Sequence, residues 1–273
     1  LRPDDISVAA RLRQKACHKP GKPWGQKLTT AFYFRIPLIK PDLFLSRTIG
    51  LLRKAWPVAR LLFLPALILA AFILLRHWSA FIHTFPYFFS LPGMLSYGLA
   101  IIGVKLAHEL GHAYAAKHFG LHVPGMGVAF MVMWPILYTD TTDAWKLRDR
   151  GPRMTIVAAG MLVELTIAVL ATLFWVWLPD GPGRYACFIL ASTTWIKSLA
   201  FNAMPFLRFD GYYLLSDWLD IPNLHSRAFA FGRWALRRGV LGCTHLPPET
   251  VSPAREKFLT LFAWVTWTYR LLL

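Results

Sequence analysis

The sequence predicts an all-α polytopic membrane protein with about four to five transmembrane helices and a short re-entrant or β-like membrane segment. Of its 273 residues, 56% are hydrophobic and only 16% are charged, whereas a soluble domain has about 45–50% and about 25%. Several uncharged stretches are long enough to cross a bilayer, and the charged residues are concentrated between them. This composition excludes a disordered chain, a coiled coil and a disulfide scaffold.

The bounds of the elements follow from where the uncharged stretches begin and end. Residues 1–57 are basic and contain six prolines, so we expect an irregular or small β-containing region in the cytoplasm. Residues 58–273 form the membrane core. Because the chain begins with leucine and ends within an apolar run, we expect it to be a piece of a longer protein that is truncated at its C-terminus. The predicted spans cover residues 58–75, 94–119, 154–178, 185–207 and 258 to the end.

The stretch over residues 121–139 is also uncharged, but it is not expected to form a straight helix. Pro124, Gly125, Gly127 and Pro135 interrupt it, and larger residues alternate with smaller ones between them. Irregular backbone at membrane depth is tolerated only against protein or a water-filled cavity. The sequence therefore predicts that this re-entrant or β-like segment lines a site.

The net charge of +16 is explained by membrane topology. Residues 1–60 contain 13 Lys and Arg, residues 117–153 contain 5, and residues 208–257 contain 7. These three regions alternate along the chain with loops that contain almost none, as the positive-inside rule requires. We therefore expect a cytoplasmic N-terminus and no nucleic-acid partner.

Residues 108–112 form the pattern H-E-x-x-H within an apolar predicted helix. Residues i and i+4 of a helix are about 40° apart around its axis, so His108 and His112 can bind one zinc ion. Glu109 lies close to that face, where it can accept a proton from an attacking water molecule. Ionisable groups at membrane depth are costly and are usually functional.

A third ligand must come from another helix, and the end of the span over residues 185–207 offers two polar residues. Asp210 is predicted at the same cytoplasmic depth as the histidines, with Pro205 and Gly211 bending the backbone around it. It could bind zinc or lie at the interface as a solvated carboxylate. Asn202 could donate to a substrate carbonyl or form an interhelical hydrogen bond.

Glu164 is the one charged residue of the third predicted span. It could hold a metal-bound imidazole from behind, or it could pair with Lys105 or Lys197 within the bundle.

The two motifs together, H-E-x-x-H and N-x-x-P-x(4)-D-G, resemble those of the site-2 protease family of intramembrane zinc metallopeptidases. Four segments resemble its bacterial branch of peptide zinc metalloproteases more closely. The four segments are Glu109–Gly120, Asp143–Trp145, Ala159–Glu164 and Asp210–Asn223. One departure from the family pattern is that Ala159-Gly160-Met161 stands where the family has a Gly-Pro motif.

The resemblance implies a zinc-dependent endopeptidase that cleaves a membrane-associated peptide or protein near the cytoplasmic face. It implies that His108, His112 and Asp210 bind Zn²⁺, that Glu109 is the catalytic base, and that Asn202 contacts the substrate or an oxyanion. It also implies the bacterial inner membrane and a periplasmic adaptor or transporter as partner. The alternative is a non-proteolytic accessory module for peptide export.

The charge distribution gives a topology that can be tested with fusions. A reporter fused after Leu91 or after Gly181 should score as outside the cell, because few positive charges flank these positions. A reporter fused near Arg150 or Arg237 should score as inside. The opposite pattern would contradict a cytoplasmic location for both motifs.

Overall fold

A computed structural model describes residues 33–84, 90–131, 134–241 and 246–273. Most of the predicted basic region, residues 1–32, lies outside the described residues. The described elements are β1 (Tyr33–Ile39), α1 (Asp42–Arg76), α2 (Trp78–His83), α3 (Leu91–His118), β2 (Met126–Met131), β3 (Trp134–Thr139), a 3₁₀ turn (Thr142–Lys146), α4 (Arg150–Trp177), α5 (Pro182–Lys197), a π-helical turn (Ser198–Asn202), α6 (Asp210–Trp218), α7 (Leu224–Leu241) and α8 (Pro253–Leu272).

The predicted fold class is confirmed: the protein is a mostly helical, multi-pass membrane protein. Within the described ranges, the helices α1, α3 and α4 are long and apolar enough to cross a bilayer. The fourth predicted span forms α5, which has 16 residues and is continued by the π-helical turn. The fifth forms α8, which begins at Pro253 and has charged residues in its first turns.

The first span belongs to a helix that is longer than the sequence predicts. α1 begins at Asp42 instead of residue 58 and continues through Pro57 and Pro65. Its 35 residues correspond to about 52 Å, well beyond the ~30 Å of a bilayer core. The apolar part still begins near residue 58. The described part of the region predicted to be irregular or to contain a small β-structure therefore consists of the strand β1 and the basic first half of α1.

The first turn of α1 is fastened to the end of α3. Asp42 Oδ1 accepts hydrogen bonds from Lys117 Nζ at 2.8 Å and from the backbone amide of Val123 at 3.1 Å. Leu45, one turn later, is completely buried against Ala113 and its neighbours. This junction fixes the end of α3 that carries the histidine pair.

The predicted β-like segment is confirmed as a hairpin of β2 and β3. It pairs with β1 in an antiparallel sheet of order β1-β2-β3, with Phe34 opposite Phe130 and Val128 opposite Leu137. The Thr139 hydroxyl at the end of β3 donates to the backbone oxygen of Glu109 at 3.0 Å. The hairpin is therefore attached directly to the H-E-x-x-H helix.

The helix α4 lies at the centre of the bundle. It contacts α1, α3, α5 and α6. Of the 18-residue apolar stretch that could cross the bilayer, 39% is buried within the chain. The corresponding share for α1 is 6%. Such a large exposed apolar surface on a membrane protein faces lipid or another protein, so α1 lies at the outside and α4 supports the site.

Candidate metal centre

The two histidines of α3 face each other across one helical turn. His108 Nε2 and His112 Nε2 are 3.0 Å apart, and the His108 side chain is 2% exposed. The i, i+4 spacing places both imidazoles on the side of α3 that packs against α4. The sequence-based expectation that these side chains share one face is confirmed.

Asp210, the first residue of α6, brings the third donor atom to this pair. Its Oδ2 atom lies 3.1 Å from His108 Nε2 and 3.5 Å from His112 Nε2. Between the π-helical turn and α6 the chain folds back so tightly that a Cβ on Gly211 would lie 2.4 Å from the Ala203 carbonyl oxygen. The predicted bend therefore turns Asp210 inward.

The three donor atoms fit a metal ion. Ligand atoms at about 2.0–2.1 Å from a tetrahedral zinc ion are about 3.3 Å apart, close to the separations found here. Asp210 Oδ2 is buried and makes no hydrogen bond, although a buried acceptor normally has a partner. Among the described residues, His108, His112 and Asp210 form the one group of His, Cys, Asp and Glu whose ligand atoms converge in this way.

Both imidazoles are contacted from behind by α4. His112 Nδ1 lies 2.8 Å from the backbone oxygen of Ile156, and His108 Nδ1 lies 2.9 Å from Glu164 Oε1. A hydrogen on each Nδ1 leaves the lone pair of Nε2 available for a metal. Between these two contacts, a Cβ on Gly160 would lie 2.4 Å from His112 Nε2 and 2.8 Å from His108 Nε2.

Glu109 lies beside the cluster and lines the same cavity, which has a volume of about 420 Å³. Its side chain is 8% exposed, and its Oε1 atom lies 2.9 Å from Lys105 Nζ. Leu137, Tyr138 and Thr139 at the end of β3 form part of the cavity wall. The carboxylate and the three donor residues therefore share one cavity with the second strand of the hairpin.

A second ion pair on the cavity wall anchors the helix that carries Asp210. Arg153 Nε of α4 lies 3.2 Å from Asp217 Oδ1 of α6, and both residues line the cavity. Burial raises the pKa of Asp217, while the Arg153 guanidinium opposes that rise. The pair ties α6 to α4 two turns after Asp210.

The structure brings four of the five predicted site residues together and places the fifth elsewhere. His108, Glu109, His112 and Asp210 line the cavity. Asn202 is buried behind it, and its Nδ2 atom donates to Glu164 Oε2 at 2.6 Å. The interhelical hydrogen bond left open from the sequence is therefore present, and the substrate contact of Asn202 stays a prediction.

Two features of the site were not anticipated from the sequence. The Ile156 carbonyl is a backbone group, which no side-chain pattern reveals. In the sequence, Gly160 stands out only as part of the departure from the family motif. Its spacing of four residues from both Ile156 and Glu164 nevertheless puts all three on one face of α4.

No family model and no curated protein matches this chain. Among solved structures, the chain is similar to the site-2 protease from Methanocaldococcus jannaschii, with 17% sequence identity and a TM-score of 0.38. The match covers 71% of this chain and 86% of that protein. That protein is of the family that the sequence motifs resemble, and the bacterial branch stays a prediction.

Gly160→Ala should weaken metal binding, because the added Cβ would displace both imidazoles. We expect zinc affinity to fall by about 10- to 100-fold, the range seen when groups that orient metal-bound histidines are changed. Gly103→Ala in α3 is the matched control, because nothing lies within 4 Å of its Cβ position. Titration against a chromophoric chelator measures both variants; equal affinity would contradict the packing of Gly160 against the imidazoles.

Proposed function

We propose that this protein is a zinc-dependent intramembrane endopeptidase that cleaves a membrane-associated peptide or protein near the cytoplasmic face. The observation that carries the proposal is the convergence of His108, His112 and Asp210 beside Glu109 in one cavity. Two imidazoles and one carboxylate leave a fourth position of a tetrahedral zinc ion open, as in catalytic sites.

Zinc held there would supply Lewis-acid polarisation of a peptide carbonyl and would acidify water. Glu109 accepts the proton of the attacking water and returns it to the leaving amine, which balances the hydrolysis. Lys105 holds this carboxylate at 2.9 Å, so that it stays beside the cavity. The α4 contacts to both Nδ1 atoms keep the imidazoles aimed at one point.

The location of the site supports a substrate within or at the membrane. The histidine pair lies in the last three turns of α3, a helix long and apolar enough to span a bilayer. The positive charges that follow α3 favour the cytoplasmic face of a bacterial inner membrane for this end. A periplasmic adaptor or a transporter is the partner we propose.

Zinc content tests the metal site directly. The purified protein should hold about one zinc ion per chain, and His108→Ala, His112→Ala or Asp210→Ala should each remove most of it, because two remaining ligands bind zinc weakly. His118→Ala is a control on the same helix, outside the cluster. If elemental analysis finds no zinc in folded wild-type protein, the proposal is refuted.

Glu109→Gln separates a protease from a peptide-export module. The amide cannot accept a proton, so cleavage should fall by about 100- to 10,000-fold, while zinc content should stay at the wild-type level because Glu109 is not a ligand. The measurement is cleavage of a membrane-anchored reporter peptide together with zinc content. If peptide export or cleavage in cells stays at the wild-type level in Glu109→Gln, the result would favour a non-proteolytic export module.

A further inference from the structure

We propose that Glu164 is a positioning residue that fixes the His108 imidazole for metal binding, with Lys197 and Asn202 as the groups that permit its burial. The inference rests on the proposed metal centre. It assigns a function to a buried carboxylate that lies outside the cavity and cannot touch substrate.

The contacts of Glu164 come from three different segments. Its side chain is completely buried. Oε1 lies 2.9 Å from His108 Nδ1 of α3 and 2.5 Å from Lys197 Nζ at the end of α5. Oε2 accepts the Asn202 amide of the π-helical turn at 2.6 Å. A buried carboxylate is costly unless it is paired and hydrogen-bonded, and here both oxygens have partners.

The contact with His108 decides which ring nitrogen can bind a metal. An ionised carboxylate only accepts hydrogen bonds, so it favours the form of the imidazole that carries its hydrogen on Nδ1. The Nε2 lone pair then points toward His112 and Asp210. By hydrogen-bond geometry Nδ1 has no partner among the described residues. The Glu164 carboxylate at 2.9 Å therefore acts through its charge, which favours a hydrogen on Nδ1.

The two imidazoles are therefore held by unlike groups. A backbone oxygen, that of Ile156, holds His112, whereas a charged side chain holds His108. A carboxylate raises the basicity of a metal-bound imidazole more than a carbonyl does. The ligand that is most deeply buried is the one that receives this support, since His108 is 2% exposed and His112 13%.

The local charge also favours a cation at the cluster. Three carboxylates lie close to the histidine pair, those of Glu109, Glu164 and Asp210. Two ammonium groups, those of Lys105 and Lys197, form ion pairs with the first two. These five groups together carry a net charge of one negative unit. Lys197 cancels the charge of Glu164, so that the excess remains at Asp210, where the metal would bind.

The competing explanation is that Glu164 and Lys197 form only a structural ion pair between α4 and α5. Both explanations predict that Glu164→Leu destabilises the fold, because Lys197 would lose its partner. The double variant Glu164→Leu/Lys197→Met removes both charges and avoids this problem. Thr172→Val is the matched control: Thr172 is buried on α4 and bonded to Trp195 of α5, but it does not reach the cluster.

The experiment uses the full chain in detergent and measures zinc affinity by chelator competition, unfolding midpoints with zinc or EDTA, and the visible spectrum of the cobalt-substituted protein. We expect the double variant to bind zinc about 10- to 100-fold more weakly than wild type and to show altered cobalt bands. Glu164→Gln, which keeps an acceptor for Nδ1, should lose less affinity. Thr172→Val should lower the midpoint in EDTA and leave affinity and spectrum unchanged.

Wild-type affinity and an unchanged cobalt spectrum in the double variant would overturn the positioning role and leave the proposed protease intact. Wild-type protein that is folded but binds neither zinc nor cobalt would overturn both proposals. A loss of affinity in the double variant together with wild-type affinity in Thr172→Val would support the positioning role, because a merely structural pair would not distinguish the two.

Discussion

The site depends on the close approach of α3 and α4. A Cβ on Gly111, inside the H-E-x-x-H motif, would lie 2.9 Å from the Ala159 carbonyl oxygen, and Gly160 meets the imidazoles from the other side. Small residues let membrane helices approach closely, because helix association there relies on packing and hydrogen bonds. A wider separation would move the Ile156 carbonyl and the Glu164 carboxylate away from the histidines that they orient.

This close packing also explains how so many ionisable groups can be buried in an apolar chain. Three pairs of opposite charges near the site are joined at short range: Lys105 with Glu109, Lys197 with Glu164, and Arg153 with Asp217. Asp210 is different, because the groups beside its buried Oδ2 atom are two imidazole nitrogens without a permanent charge. The exception coincides with the place where a cation would contribute the missing charge.

The sequence was sufficient to predict three of the spans and the shared face of the histidine pair, because both follow from local patterns. Uncharged runs of bilayer length identify α1, α3 and α4, and the i, i+4 spacing of His108 and His112 determines their common face. The start of α1 was misjudged, because the apolar run begins only near residue 58, whereas the helix extends through the basic residues before it to Asp42. The partners of Glu164 and Asn202 could not be chosen among the alternatives, because they depend on how α4, α5 and the π-helical turn pack.

The π-helical turn connects the partners of Glu164 with the segment that carries Asp210. One extra residue per turn at Ser198–Asn202 changes the direction of the side chains that follow Lys197. Lys197 and Asn202 can then both reach Glu164, although five positions in a regular α-helix would place them about 140° apart. Such π-bulges occur frequently at functional sites. The same turn ends the helix and starts the fold-back that delivers Asp210. Neither α4 nor the π-helical turn supplies a candidate ligand. Together they nevertheless determine how the three candidate metal-binding residues are arranged.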